Sequence, residues 1–244
     1  MSTALLKVGR LALHHLLPPR CAACGEDVME GDLCAACFGD LHFLGPPCCV
    51  QCGLPFPYDT GLEGVCGACA QSPPRYARAR AAVSYGEVSR SMVLGLKHGD
   101  RTDRVPVLAK LMARAGSDLL DQADFLVPVP LHWTRLVHRR FNQSAELARR
   151  LGHMTEKPVL VDGLKRRRKT PSQGRFGRRA RLRNVAGAFS LTAKTRDRIK
   201  GKRLLLIDDV FTTGATVEAC TKVLLRGGAA QIDVLTFARV ITEE

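Results

Sequence analysis

The stretch Arg203-Leu-Leu-Leu-Ile-Asp-Asp-Val-Phe-Thr-Thr-Gly-Ala-Thr216 decides the fold of this 244-residue chain. Its four apolar residues at 204–207 predict a buried strand of a parallel sheet, and two aspartates follow where that strand ends. A loop of small residues comes next. Apolar residues at helical spacing then predict a helix, which a pair of glycines at 227–228 ends. Strand, acid pair, loop and helix in this order are typical of a parallel α/β domain.

The loop after the strand has the composition of an anion-binding site. It comprises Thr212, Thr213, Gly214, Ala215 and Thr216. Small residues let backbone N–H groups converge on an anion, and the N-terminus of the following helix adds free donors and positive dipole. The carboxylates of Asp208 and Asp209 would repel a phosphate there unless they face hydroxyls of the same ligand, or a divalent cation bound to it. The sequence therefore predicts a sugar phosphate ligand with a vicinal diol.

The length of the chain suits one α/β domain and a small module, and the linker Gln71-Ser-Pro-Pro74 divides it into units predicted at 1–72 and 76–244. The net charge of +14 comes from 37 basic and 23 acidic residues, which favours a polyanionic partner: nucleic acid, a pyrophosphate-bearing substrate or an anionic membrane surface. The longest apolar stretches are far short of the roughly 20 residues of a transmembrane helix. The sequence thus predicts no membrane span.

Nine of the ten cysteines lie before residue 70, and eight of them form four Cys-x2-Cys pairs. These eight are Cys21, Cys24, Cys34, Cys37, Cys49, Cys52, Cys66 and Cys69. Two such pairs supply the four thiolates of a tetrahedral zinc site, so eight ligands predict two structural zinc ions. Short loops favour sequential pairing of the knuckles, with a crossed pairing of first and third as the alternative. Metal-binding cysteines indicate a reducing compartment, and hence a cytoplasmic protein.

Periodicity and turn residues predict the remaining elements. The predicted helices are 3–17, 88–96, 104–120 and 142–151, and the predicted strands are 80–85, 125–130, 188–191 and 232–238. Between strand 125–130 and helix 142–151, residues 131–140 read as a loop, because Pro128 and Pro130 stop the strand. That loop carries Arg135, Arg139 and Arg140.

A strongly basic segment occupies residues 165–184 and is expected to form a mobile loop with helical portions. Its candidate nucleic-acid-binding residues are Arg166, Arg167, Arg168, Lys169, Arg175, Arg178 and Arg179. Such a cluster can follow a phosphate backbone. Only Phe141 and Phe176 lie near these arginines, so base stacking receives little support.

The acid pair and loop resemble the phosphoribosyl pyrophosphate (PRPP) signature of type I phosphoribosyltransferases. The cysteine pairs, Val127-Pro-Val-Pro130, Arg140-Phe-Asn-Gln-Ser144, Thr170-Pro-x-Gln173 and Arg183-Asn184 extend the likeness over nearly the whole chain. Together they resemble the ComF family, in which a double zinc ribbon precedes a type I phosphoribosyltransferase-like domain. Members of that family are associated with DNA uptake during natural transformation.

The resemblance implies a parallel sheet with flanking helices that binds PRPP with Mg²⁺, or ribose 5-phosphate more weakly. Asp208 and Asp209 would hold the ribose hydroxyls and 212–216 the 5′-phosphate. Arg135, Arg139 or Arg140 would neutralise the pyrophosphate leaving group. Purine phosphoribosyltransferases often carry an acid where this chain has Thr212, so the departure puts a purine acceptor in doubt.

Three functions stay open at this stage. The first is phosphoribosyl transfer to an unidentified acceptor. The second is a non-catalytic accessory that binds single-stranded DNA and works with a DNA-uptake helicase or other competence proteins. The third is a regulator that senses PRPP. Related folds are often dimers, so an oligomer also stays open.

Overall fold

The computed structural model describes residues 19–28, 31–59, 64–98, 101–168 and 185–241. The strands are β1 (Ala79–Ser84), β2 (Phe125–Pro128), β3 (Leu164–Arg166), β4 (Phe189–Leu191), β5 (Arg203–Phe211) and β6 (Gln231–Arg239). A four-stranded sheet has the order β1-β6-β5-β2, with every pair parallel. Strands β3 and β4 form a separate antiparallel pair. The fold-deciding stretch therefore supplies an inner strand of the main sheet.

The helices are α1 (Ala35–Gly39), α2 (Gly67–Gln71), α3 (Glu87–His98), α4 (Val105–Ala115), α5 (Ser117–Gln122), α6 (Trp133–Arg139), α7 (Gln143–Thr155), α8 (Ala193–Ile199) and α9 (Ala215–Arg226). Alternate residues of β5 enter different cores. Leu205 packs with residues of α3, α4 and α7, whereas Leu206 packs with residues of α8 and α9. Both faces of the sheet are thus covered, which explains the continuous apolar run in β5.

The structure corrects two sequence predictions about the connecting segments. The helix predicted at 104–120 is divided at Gly116 into α4 and α5. A Cβ at Gly116 would lie 2.6 Å from Leu235 Cδ1, so glycine allows a close approach to β6 there. The loop predicted at 131–140 contains α6, whose N-cap is His132. Its basic composition concealed the helix.

The cysteine-containing segment covers an edge of the main sheet. Ser84 N donates to His42 O at 2.8 Å and Leu44 N donates to Ala82 O at 3.0 Å. Phe43 and Val83 form the antiparallel bridge between these two bonds. Residues 42–44 therefore act as a short extra strand along β1.

The predicted N-terminal helix at 3–17 and most of the basic segment, from Lys169 to Asn184, lie outside the described residues. Within the described part of the chain, no helix has the length and apolar character needed to cross a bilayer.

Candidate sugar-phosphate site

The acid pair lies near the carboxyl end of β5, where parallel sheets commonly place their ligands. Asp208 Oδ1 accepts hydrogen bonds from Ser144 Oγ and from Asp209 N, both at 2.9 Å. Asp209 Oδ2 lies 2.7 Å from Lys97 Nζ, in the last turn of α3. Three elements, α3, α7 and β5, therefore converge on the two carboxyl groups.

The three side chains of Asn142-Gln-Ser144 position the start of α7. Asn142 caps α7 by accepting from Ser144 N at 3.2 Å, and its Nδ2 donates to Val129 O at 3.0 Å. Gln143 Nε2 donates to Leu96 O at 3.1 Å, next to Lys97. These bonds fix the start of α7 against both the end of β2 and the end of α3. Ser144 is thereby held within reach of Asp208.

The surroundings shift the acidity of Asp208. Burial of its carboxyl group, and secondarily the negative charge of Asp209, raise its pKa from the ordinary 3.8 to about 7. The hydrogen bond from Ser144 acts in the opposite direction, because it favours the carboxylate. A bound cation or the hydroxyl groups of a ligand would stabilise the ionised form of this buried carboxyl group.

The loop after the acid pair has the backbone of an anion site. Gly214 has φ +75°, a left-handed conformation that glycine adopts at low cost, and it is the N-cap of α9. Thr213 Oγ1 is buried and has no hydrogen-bond partner among the described residues. An unpaired buried hydroxyl at a helix N-terminus is suited to a bound anion.

A cleft of about 390 Å³ adjoins this loop. Its lining includes Thr213 and Gly214, the linker residues Ser72–Tyr76 and the outer face of α9, but neither aspartate. Arg75 and Glu218 form an ion pair at its wall, with Arg75 Nε 3.1 Å from Glu218 Oε1. The acid pair and the cleft are therefore separate features that share the loop.

The structure shows the surroundings of some predicted basic residues. Arg135 lies in α6, and Arg140 follows that helix with φ +62° and an exposed side chain. Arg167 Nε donates to Ser190 Oγ at 2.8 Å, Arg168 Nη2 donates to Ala186 O at 2.9 Å, and Arg166 lies over the ring of Phe189. Lys169, Arg175, Arg178 and Arg179 fall outside the described residues. The roles predicted for these residues stay predictions.

Sequential pairing of the cysteine knuckles is confirmed. Cluster one comprises Cys21, Cys24, Cys34 and Cys37, and cluster two comprises Cys49, Cys52, Cys66 and Cys69. Within each cluster the four sulfur atoms lie within 4.8 Å of one another. Zinc–sulfur bonds of about 2.3 Å in a tetrahedron give sulfur separations of about 3.8 Å. The 3.9 Å between Cys24 and Cys34, and the 3.7 Å between Cys52 and Cys66, fit two structural zinc sites.

Backbone N–H groups favour thiolates in both clusters. Burial alone would raise the pKa of Cys21 and Cys49, but donated hydrogen bonds outweigh it and lower the pKa to about 6 and about 7, respectively. Among the donors are Cys34 N, 3.3 Å from Cys21 Sγ, and Cys66 N, 3.4 Å from Cys49 Sγ. Since the thiolate is the form that binds metal, these bonds favour the metal-binding form of one cysteine in each cluster, Cys21 and Cys49.

The fold and site define a class: an α/β protein with a candidate sugar-phosphate site, preceded by a pair of structural zinc sites with four cysteine ligands each. A family model described as a double zinc ribbon domain matches residues 12–70. The DNA utilization protein YhgH of Salmonella typhimurium is 35% identical over 200 residues, covering 79% of this chain and 84% of that protein. Competence protein F of Haemophilus influenzae is 28% identical, covering 90% and 96%, respectively.

The chain belongs to the ComF family, as its sequence motifs predicted. The predicted parallel sheet with flanking helices, preceded by a zinc-ribbon module, is confirmed. Among solved structures, the orotate phosphoribosyltransferase of Aeropyrum pernix is similar over 65% of this chain and 80% of its own, with 15% identity and a TM-score of 0.36.

Two parts of the site were not predicted from the sequence. The sequence places Ser144 at the start of the predicted helix 142–151, whereas its hydrogen bond to Asp208 spans 64 residues of chain. Lys97 lies just after the predicted helix 88–96, and the structure pairs it with Asp209. Polar side chains at both elements were the available signal, but only the folded topology brings them to β5.

Proposed function

We propose that the chain binds PRPP and transfers its phosphoribosyl group to a nitrogen nucleophile. The carrying observation is the juxtaposition, within one strand–loop–helix unit, of two carboxyl groups and an anion loop with an unpaired buried hydroxyl. These groups match the two parts of ribose 5-phosphate that differ most in chemistry. A diol donates hydrogen bonds to carboxylates, whereas a phosphate accepts them from N–H and O–H groups.

In this proposal, the loop 212–216 takes the 5′-phosphate and the acid pair takes the ribose hydroxyls. Thr213 Oγ1 gains the partner that the described residues do not supply. Lys97 already neutralises part of the acid pair's charge, which lessens its repulsion of the phosphate. Ser144 and the backbone N–H of Asp209 hold Asp208 in a fixed orientation while it accepts from the diol.

The proposed reaction breaks the bond between ribose C1 and the pyrophosphate oxygen. The nucleophile's electron pair forms the new bond to C1, pyrophosphate leaves with the electron pair of the broken bond, and the nucleophile's proton passes to solvent or to a base. Asp208 and Asp209 are the carboxylates that would hold Mg²⁺ accompanying PRPP, and that ion would offset pyrophosphate charge. The protein contributes positioning and charge stabilisation, and Arg135 and Arg140 are the proposed partners of the leaving group.

The names of the relatives suggest the setting. Proteins called competence protein F and DNA utilization protein support a role for this chain in DNA uptake or use. We extend the proposal to a cytoplasmic protein with a zinc module at 1–72 and a catalytic domain at 76–244. Binding of single-stranded DNA through Arg166–Lys169 and Arg175–Arg179, together with a competence helicase, is the alternative that the experiment below separates from it.

Calorimetry with PRPP and ribose 5-phosphate, in the presence of Mg²⁺, tests the proposal. We expect Asp209→Asn to lower the affinity for ribose 5-phosphate about ten- to a hundredfold, because a charge-assisted hydrogen bond is lost. Thr213→Asp should abolish binding, since it places an anion in the phosphate loop. Asp233→Asn is the matched control, because Asp233 is buried near the opposite end of the sheet and pairs with Arg78.

Candidate nitrogen nucleophiles are then screened as acceptors, with pyrophosphate release as the readout. If the intact protein binds neither ligand at millimolar concentration, the proposed pocket is wrong and the DNA-binding accessory becomes the better explanation. If Asp233→Asn weakens binding as much as Asp209→Asn, the effect reflects lost stability and the assignment of the acid pair fails.

A further inference from the structure

A buried arginine links cluster two to the anion loop. Arg239 is the last residue of β6 and has only 8% of its surface exposed. Its Nη1 donates to Cys52 O at 2.6 Å, and its Nη2 lies 3.5 Å from Cys52 Sγ. One guanidinium thus contacts both the backbone and the sulfur of a zinc ligand.

No carboxylate in the described part of the chain forms an ion pair with Arg239. A buried cation without a counter-charge is costly, so its environment must supply one. Four thiolates around one Zn²⁺ carry a net charge of about −2. The metal-loaded cluster two is therefore the counter-charge that the fold offers to Arg239.

The other side of the same guanidinium faces the loop. Arg239 Cζ lies 4.6 Å from the centre of the Phe211 ring, at a distance typical of a cation–π contact. Phe211 is the last residue of β5, and its ring also meets the edge of Tyr76, with centroids 6.3 Å apart. A Cβ added to Gly214 would lie 2.9 Å from Phe211 Cζ, so the ring packs directly under the left-handed residue of the loop.

We propose that Arg239 is a positioning residue that makes the shape of the anion loop depend on the metal-loaded state of cluster two. The contacts run from Cys52 through Arg239 and Phe211 to Gly214 without a gap. Loss of the metal removes both the counter-charge and the fixed position of Cys52, so Arg239 leaves the ring and the loop loses its support. The ligand of that loop rests on the proposed function, whereas the contacts do not.

The test compares Arg239→Met with wild type at full zinc occupancy, checked by metal analysis. Methionine keeps length and apolar packing but loses the charge and both donors. We expect amide hydrogen exchange in residues 211–217 to accelerate at least tenfold, and affinity for ribose 5-phosphate to fall at least tenfold. Exchange in residues 19–28, which include Cys21 and Cys24, should stay within about twofold of wild type.

Arg78→Met is the matched control, since Arg78 also anchors β6, through Asp233 at 3.1 Å, but near the strand's other end. It should lower thermal stability without changing exchange in 211–217. If Arg239→Met does not fold, Arg239→Lys replaces it, because lysine keeps the charge but cannot make the forked contact. We expect a three- to tenfold loss of affinity from that variant.

Unchanged exchange and unchanged affinity in a zinc-loaded Arg239 variant would overturn the inference. A wild-type protein that binds no ribose 5-phosphate would overturn the proposed function instead. In that case faster exchange at 211–217 in the variant would still support the coupling, and unchanged exchange would refute it.

Discussion

The two cysteine clusters have the same ligand set but different relations to the rest of the protein. Cys24 of cluster one is exposed and Cys34 is half-buried, whereas all four cysteines of cluster two are buried. Cluster one is attached to α3 and to the start of α4 through Ala23 O, which accepts from Ser91 Oγ at 3.2 Å and from Arg104 Nη2 at 3.5 Å. Cluster two is attached to the strands, through Gln51 O to β1 and through Cys52 to β6.

This difference assigns each cluster to one part of the candidate site. Cluster one supports α3, whose last turn places Lys97 beside Asp209. Cluster two supports the ends of β5 and β6, and through Phe211 the anion loop. A repeated module can therefore serve distinct purposes when its copies contact different elements of one domain.

The largest expected effect is the loss of a zinc ligand. Cys52→Ser should reduce bound zinc from two ions to one and weaken ribose 5-phosphate by at least about tenfold, because cluster two lies against Arg239. Cys24→Ser, at the exposed corner of cluster one, should also reduce the zinc content but change affinity by less than about threefold, because cluster one supports α3 and Lys97 rather than the anion loop. Metal analysis and calorimetry check both, and equal losses of affinity would break the comparison.

The two knuckle glycines provide a second contrast. Gly25 and Gly53 both have positive φ, +83° and +70°, so alanine at either position costs about 1 kcal/mol of backbone strain. A Cβ at Gly53 would also lie 2.5 Å from Ala79 O, whereas nothing lies within 4 Å at Gly25. We expect Gly53→Ala to lower the free energy of unfolding by about 2–4 kcal/mol, as measured by denaturant titration. Gly25→Ala should lower it by about 1 kcal/mol.

The pH dependence of stability should differ between the two regions. The pKa of Asp208 is raised, so its contribution to stability is lost as pH rises from about 4 to about 7, where the folded protein binds the extra proton. Asp208→Asn should therefore raise the free energy of unfolding at pH 8 by on the order of 1–3 kcal/mol. Near pH 4 the variant and wild type should be equally stable. Denaturant titrations at the two pH values check both expectations.

Near cluster one the sign is reversed. The hydrogen bonds from Arg101 lower the pKa of Asp103, which is next to Arg104. The contribution of Asp103 to folding stability is therefore present above pH 4 and is lost as pH falls. Asp103→Asn should lower stability at pH 7 by less than Asp208→Asn raises it, because Asp103 is more exposed. A shift of the same sign for both variants would contradict the assignment.

The smallest expected effect is at the surface of cluster one. Lys110 Nζ lies 2.6 Å from Asp32 Oδ2, but both side chains are more than 40% exposed. Exposed ion pairs contribute about 0.2–1 kcal/mol, so Lys110→Ala should change the free energy of unfolding by that amount or less. A larger loss would show that cluster one depends on α4 more than its contacts indicate.

Local sequence located the acid pair and the loop because both belong to one continuous strand–loop–helix unit. The same held for the metal ligands, whose spacing of three residues is a local property. Arg239 and Cys52 are 187 residues apart, and no periodicity relates them. Helix α6 was missed because its sequence is basic, and the structure leaves its apolar residues Leu136 and Val137 exposed, so it has no buried apolar face.

The strand-like segment 42–44 has a consequence for how the protein behaves during synthesis. It lies between the two cysteine clusters in sequence and occupies the hydrogen-bonding edge of β1. An uncovered edge of a parallel sheet can pair with the same edge of another molecule and start aggregation. When zinc is scarce, neither cluster can hold this segment in place, and newly made chains should accumulate as insoluble strand-paired aggregates. We therefore expect the yield of folded protein to follow the supply of zinc.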